Sequence, residues 1–269
     1  MTQMTNPPIN RCRSIEVVAH VYDPPGLDIY RHHMRQQFYS FCHHRPTANL
    51  LYTVMTEPCC VLPFSDRLFA IWQGTGKPAG IRFQVIGLRH AELFRRAIGR
   101  NQRATQTEAD VILFGDADVY FADRAIDSIC QETDRRTPLR YPDGWFCQKH
   151  PAMGDEWLEE LRQREFPRPI DTRQFKYKPL GRVAVGSCQI VGHDVARDRG
   201  YLDGTSWVDP VDPTPGWRQT ACDRAFRKRF GRLGEPISIP NLYHLRHSQE
   251  GRDRDQHGNL LSWYAKRRL

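Results

Sequence analysis

The chain has 269 residues, 39% of them hydrophobic, a mean hydropathy of −0.64 and a formal charge of +8. That length allows one large domain or two small ones around a sizeable core. No run approaches 18 consecutive apolar residues, so no transmembrane segment is expected. The opening stretch, Met1 to Asn10, is polar and proline-containing and lacks the apolar centre of a signal peptide, which makes the cytoplasm the expected compartment. The positive charge fits a phosphate-bearing partner. Its basic residues are mostly dispersed, without the aromatic interleaving of a nucleic-acid stripe, so no nucleic-acid partner is expected. Eight cysteines without CxxC spacing read as mostly buried residues with free thiols, and no zinc cluster is expected.

Ser14 to Val21 (SIEVVAHV) reads as a first strand, and Tyr22 to Gly26 as a Pro/Gly turn. Leu27 to about His44 carries Leu27, Tyr30, Met34, Phe38 and Phe41 at three-to-four spacing, the mark of a helix. Asn49 to Met55 is a second strand. A loop follows to Pro63, and Ser65 or Asp66 is the expected cap of the next helix. Ile81 to Gly87 is a third strand, and His90 to about Thr107 an arginine-rich helix.

Ala109 to Phe121 is the most informative stretch. An apolar run, Val111 to Phe114, ends in Asp116-Ala117-Asp118. In an extended chain residues i and i+2 face one side, about 6.6 Å apart. Both acids would then share a space at the carboxyl end of a strand, the edge where open α/β sheets bind ligands. Two carboxylates there call for a cation, and a hard divalent ion with substrate phosphates suits them. A solvated turn or a helix start is the alternative. Asp123 to Arg135 is a further helix. The alternation of strand and helix predicts an α/β fold with a mostly parallel sheet. Neither GxGxxG nor a Walker loop is present.

From about Pro138 the pattern is less regular. Trp145 to His150 reads as a strand, Glu156 to Glu165 as a short helix, and Gly181 to Val191 as a strand or strand pair broken at Gly186. Trp207 to Trp217 is a proline-rich loop, Thr220 to Arg229 a helix, Ile237 to His247 a terminal strand and turn, and Gly251 to Gly258 a polar segment.

Several of these pieces resemble a GT-A-fold glycosyltransferase, in order along the chain. Gly99-Arg100-Asn101 before Asp116-Ala117-Asp118 is similar to the Ala-Arg-Asn and DxD elements of family 2 enzymes, with Gly for Ala at position 99. Gly216-Trp217, then Cys222-Asp223 and Arg229, resembles the galactosyltransferase type, with Cys222 in place of its Glu. His244-Leu245-Arg246-His247-Ser248 is similar to the Met-x-x-His-Ser segment of β-1,4-galactosyltransferases, with His244 in the methionine position. The resemblance covers roughly residues 90 to 257.

It implies a Rossmann-like GT-A domain. Residues 1–137 would form its nucleotide-sugar half, and 138–269 an irregular half completing the acceptor side and the metal site. It implies a metal-dependent inverting enzyme that uses a nucleotide diphosphate sugar, a UDP-sugar first, on a glycan or other hydroxyl acceptor. Asp118, His244 and His247 would bind the divalent metal, Mn²⁺ before Mg²⁺ because imidazole favours transition metals. Asp223 would be the general base. Asp116, with Ala117 between the two acids, would reach the ribose or a metal-bound water. Arg96 and Arg100 would meet the diphosphate, Arg100 alternatively the base edge, or else form a solvated helix face. Tyr22 would stack on the base, with backbone contacts from His20 and Val21. Gly186, Ser187 and Gln189 would line the donor sugar, Trp207 and Trp217 would form an acceptor platform, and Ser248 to Gly258 a lid. A metal-dependent nucleotidyltransferase and a non-catalytic sugar- or nucleotide-binding relative are the alternatives.

Overall fold

The computed structural model describes residues 12–21, 28–89, 92–93, 96–181, 184, 186–201, 226–230 and 234–246. The first strand, β1 (Ser14–His20), is buried along almost its whole length. It lies between β2 (Asn49–Thr56) and β4 (Val111–Gly115), parallel to both, and β3 (Ile81–Gly87) extends the sheet beyond β2. Strands covered on both faces must be nearly continuously apolar. That is why β1, β2 and β4 are legible in the sequence; β3, at the sheet edge, is only partly buried.

Helix α1 (Ile29–His44) joins β1 to β2, and α2 (Val61–Gly74) joins β2 to β3. The apolar stripe of α1 meets the sheet through aromatic contacts of Phe38 and Phe41 with Tyr52, each at 5.5 Å, and Phe41 also meets Phe121 at 5.4 Å. Each fully buried side chain of this size is worth roughly 1.5–3 kcal/mol relative to exposure. Helix α2 begins earlier than the expected Ser65 or Asp66 cap. A 3₁₀ turn, Pro58–Cys60, leads straight into Val61. The Ser65 hydroxyl donates back to the Val61 carbonyl at 2.8 Å, a bond made inside the helix and not at its start.

The arginine-rich helix, α3 (Arg96–Gln106), is held by a buried network. Arg103 donates to both oxygens of Glu16, at 2.7 and 3.0 Å, and Glu16 also accepts from Thr53 at 2.6 Å. Gln84 donates to the Thr53 hydroxyl at 2.8 Å. One charge inside β1 therefore ties α3 to three strands.

After β4 come β5 (Val119–Phe121), α4 (Ala125–Glu132), β6 (Arg140–Pro142), β7 (Gly144–Gln148), α5 (Pro151–Arg162), β8 (Phe175–Pro179), β9 (Cys188–Gly192), α6 (His193–Arg199), β10 (Glu235–Ile237) and β11 (Leu242–His244). Among the described residues the main sheet has the order β10-β6-β9-β4-β1-β2-β3, with β9 antiparallel to β4 and β6. A second sheet has the order β5-β11-β7-β8. This is the α/β class with a mostly parallel central sheet that the sequence predicts. Strand β9 begins after Gly186 and Ser187, and the expected terminal strand is two short ones in different sheets. Helix α5 starts at Pro151, ahead of the expected Glu156, because proline is pre-set for the first helical turn. No helix among the described residues is long and apolar enough to cross a membrane. The seven described cysteines form no disulfide.

Candidate functional site

Strand β4 stops at Gly115, and the chain then turns. Val119 N–H reaches the Asp116 carbonyl at 3.4 Å, so Asp116-Ala117-Asp118 is not the extended segment assumed from its spacing. The turn is fixed from two sides. Asp116 N–H donates to the Ser187 carbonyl at 3.1 Å. The Gln37 amide, on α1, donates to the carbonyls of Asp116 at 3.0 Å and Val119 at 2.7 Å. Ala117 is buried in the core. The two carboxylates consequently go to different partners.

Asp116 faces α3. Its Oδ1 accepts from Arg96 at 2.5 Å and lies 3.4 Å from Arg100. Arg100 is wholly buried, so it is no solvated helix face. Its guanidinium donates to the Tyr201 hydroxyl at 2.8 Å and to the Gly186 carbonyl at 3.1 Å. The Tyr201 hydroxyl donates to Gln189 at 2.8 Å, and Tyr201 N–H donates to the Asn101 side chain at 2.9 Å. The Arg100-Asn101 pair thus grips Tyr201, a residue the sequence reading missed. Gln189 is fully buried in this relay and does not line open space. Phe226, three residues after Asp223, stacks on Tyr201 with ring centres 4.1 Å apart.

His20 and Val21 close the end of β1. Val21 N–H donates to the Met55 carbonyl at 2.9 Å, and both side chains are buried. Burial, then the charges of Arg100 and Arg96, hold the His20 pKa well below the usual histidine value, so it is neutral. Its ring occupies the space beside Gly99. A Cβ at position 99 would lie 2.6 Å from His20 Nε2 and 2.9 Å from Leu88 Cδ1. The Gly-for-Ala departure at position 99 is therefore a packing requirement of this chain.

Asp118 faces the second sheet. Its Oδ2 lies 3.2 Å from His244 Nε2, and its carbonyl accepts from Leu245 N–H at 2.8 Å. The His244 ring stacks on Trp145 at 4.7 Å, with 14° between the planes. Burial opposes the imidazolium, but the Asp118 carboxylate outweighs it and raises the His244 pKa to about 10. About a fifth of each side chain stays accessible. The chain just beyond His244 passes close over α5, where Gly154 leaves room for the Arg246 carbonyl.

His20, Arg96, Arg100, Asp116, Gly186 and Ser187 thus gather on one side of the 116–118 turn, and Asp118 and His244 on the other. Tyr22, Asp223 and His247 lie outside the described residues, as do Cys222, Trp207, Trp217 and the 248–258 segment. A separate cleft, lined by Cys12, Arg13, Asn49 and Asp127 among others, opens at the amino-terminal edge of β1 and β2 and holds none of the candidate residues.

For Asp118 and His244 to hold a divalent metal, the ion must displace the proton that the raised pKa keeps on the imidazole. Two cis ligands of an octahedral ion, each about 2.1 Å from it, lie about 3.0 Å apart. The 3.2 Å between the Asp118 oxygen and the His244 nitrogen is close to that spacing.

No family model matches the sequence, and no curated protein matches it significantly. Solved structures do align with it. A mannosyltransferase from Pyrobaculum calidifontis, in complex with GDP-Man and Mn²⁺, aligns with TM-score 0.49 and 11% identity over 90% of this chain and 59% of its own. The glycosyltransferase GlyE of Streptococcus pneumoniae aligns with TM-score 0.48 and 11% identity over 93% of this chain and 58% of its own. The inositol-1-phosphate CTP transferase from T. maritima aligns with TM-score 0.46 and 10% identity, over 88% and 91%. The chain therefore spans less than two thirds of the two glycosyltransferases. Likenesses this distant assign neither activity nor site residues.

Proposed function

We propose that this chain is a metal-dependent, inverting glycosyltransferase. It moves a sugar from a nucleotide diphosphate sugar, a UDP-sugar first, to a glycan or other hydroxyl acceptor. The observation that carries this reading is the Asp118–His244 pair beside the arginine-clamped Asp116, at the carboxyl edge of parallel strands. Residues 1–137 hold the nucleotide sugar, and 138–269 supply the acceptor side and the remaining metal ligands.

Asp118 and His244, the latter after loss of its proton, would hold the cation, with His247 as a further ligand. Mixed oxygen and imidazole donors favour Mn²⁺, with Mg²⁺ as the alternative. When bound, the metal acts as a Lewis acid that neutralises charge on the diphosphate leaving group. Arg96, partly exposed, offers its guanidinium to phosphate oxygens. Arg100 holds the backbone at Gly186, where the donor sugar would lie, and steadies Asp116. The backbone at His20 and Val21 and the Tyr22 ring receive the base, and Ser187 borders the nucleotide sugar, whereas Ala117 packs into the core and only spaces the two acids. Asp223 takes the proton of the acceptor hydroxyl as its oxygen attacks the anomeric carbon opposite the diphosphate, which inverts the configuration.

The test is a panel of nucleotide sugars with Mn²⁺ or Mg²⁺, scored for hydrolysis and thermal shift. A ligand that binds the folded state raises the melting temperature by mass action. Metal-dependent release of a nucleoside diphosphate from one donor supports the proposal. Release of pyrophosphate from a nucleoside triphosphate replaces it with nucleotidyl transfer. Binding without turnover in the presence of acceptors replaces it with a non-catalytic relative. Asp223→Asn should spare donor binding and stop transfer; retained transfer removes Asp223 from the role of base.

A further inference from the structure

The connection between β2 and α2 brings together Glu57, Cys59 and Cys60, which none of the chemistry above uses. Their potential ligand atoms all lie within 4.8 Å of one another. The backbone of this turn is tightly fixed. Pro58 restricts φ at its start. Cys60 N–H donates to the Glu57 carbonyl at 2.9 Å, and Leu88 N–H to the Thr56 carbonyl at 2.7 Å. Gly87, at the end of β3, lets the turn pack closely: a Cβ there would lie 3.1 Å from Pro58 Cα and 3.2 Å from Val61 Cγ2.

The two sulfurs are 3.8 Å apart. Two thiolates bound tetrahedrally to Zn²⁺, each at about 2.3 Å, lie about 3.8 Å apart. The turn thus holds the sulfurs at the spacing of a bound ion. Cys59 is exposed, and Glu57 and Cys60 are half-buried, so an ion can enter from solvent. The other five described cysteines are buried. The trio also precedes the first turn of α2, whose positive dipole end favours an anionic cluster.

We propose that Glu57, Cys59 and Cys60 form a site for a thiophilic divalent cation of the Zn²⁺ class. The two thiolates and one carboxylate supply three ligands, and water or an external donor takes the fourth position. Ion binding displaces the thiol protons into solvent. The site is chemically distinct from the oxygen- and imidazole-ligated position at Asp118, and it does not rest on the glycosyltransferase reading. It lies at the carboxyl-terminal end of β2, the same sheet edge as the 116–118 turn, because β1, β2 and β4 run parallel.

Cobalt titration of the full chain tests it, after metal removal and reduction by a phosphine. Co²⁺ reports its ligands by absorption: thiolate ligation gives near-ultraviolet charge transfer, and tetrahedral geometry gives strong visible bands. One equivalent should produce both signals, and Zn²⁺ should remove them. Cys59→Ser, at an exposed position, should weaken Zn²⁺ binding by more than about tenfold, since even outer-shell changes reach tenfold to a hundredfold. Cys59→Ser with Cys60→Ser should abolish the charge-transfer signal, while Asp118→Ala should leave it in place. Absence of thiolate-to-cobalt charge transfer in the unaltered chain overturns the proposal. So does its survival in the double variant, or Zn²⁺ binding unchanged by Cys59→Ser.

Discussion

His244 Nε2 lies 3.2 Å from Asp118 Oδ2, while Trp145 covers the other aspect of the imidazole as a stacked ring. The pair joins the turn after β4 to β11. Trp145 on β7 fixes the ring plane and thereby the direction in which Nε2 points.

The first prediction follows from that pair. His244→Ala should lower Mn²⁺-dependent donor binding at least about tenfold, equivalent to about 1.4 kcal/mol. Trp145→Leu leaves both ligand atoms in the chain but frees the imidazole, so it should produce a smaller loss. Calorimetric titration of Mn²⁺ in the presence of nucleoside diphosphate measures both. An Mn²⁺ affinity unchanged in His244→Ala removes His244 from the ligand set.

The second concerns Gly99. Inside a helix, alanine is favoured over glycine by about 1 kcal/mol. Here a methyl group would press on His20 and Leu88, and overpacking of that kind costs about 1–3 kcal/mol. Gly99→Ala should therefore destabilise the protein despite its better propensity. Adding His20→Ala should give a double variant less destabilised than the sum of the two changes. Urea denaturation reads both. A stabilised Gly99→Ala protein contradicts the packing account.

These two cases mark what the sequence could convey. Strands β1, β2 and β4 were legible because two-sided burial forces nearly continuous apolar runs, and α1 because its apolar stripe meets the sheet. The direction of Asp116 and Asp118 was not legible. The alternation rule holds only while the backbone stays extended, and the hydrogen bond from Val119 to Asp116 bends it. Arg100 read equally well as a solvated charge, and nothing local set Arg103 apart from the other arginines of its helix. Their burial depends on Tyr201 and Glu16, partners far away in sequence. Glu16 was the available signal, since a carboxylate inside an apolar strand demands a cation. The second sheet depends on pairings between short, distant segments, and local periodicity carries no information about those.

The third prediction tests that buried pair. Arg103→Met leaves the Glu16 carboxylate in the interior without its cation. Breaking such a pair from one side costs about 3–5 kcal/mol. Glu16→Leu combined with Arg103→Met removes both charges and should recover much of the loss. Donor binding should follow stability in these variants, because the pair anchors the helix that carries Arg96 and Arg100. Equal destabilisation of the single and double variants counts against an electrostatic role.

The fourth prediction is a stability maximum near pH 6.5 in the metal-free protein, set by histidines shifted in opposite directions. The folded-state pKa of His20 is depressed, by burial and then by Arg100 and Arg96. Below the ordinary value of 6.5 the unfolded chain binds the proton more readily, so stability falls as pH drops through that region. His32 is depressed as well, mainly by burial, and adds in the same sense. His244 behaves oppositely. Its folded-state pKa is about 10, so its contribution is complete below 6.5 and is lost as pH rises towards 10. Each group contributes a slope of up to about 1.4 kcal/mol per pH unit within its window. Urea denaturation from about pH 5.5 to 8.5 should therefore trace a maximum. His20→Asn should flatten the acid limb and His244→Phe the alkaline limb. Limbs that keep their slopes in these variants assign the pH dependence to other groups.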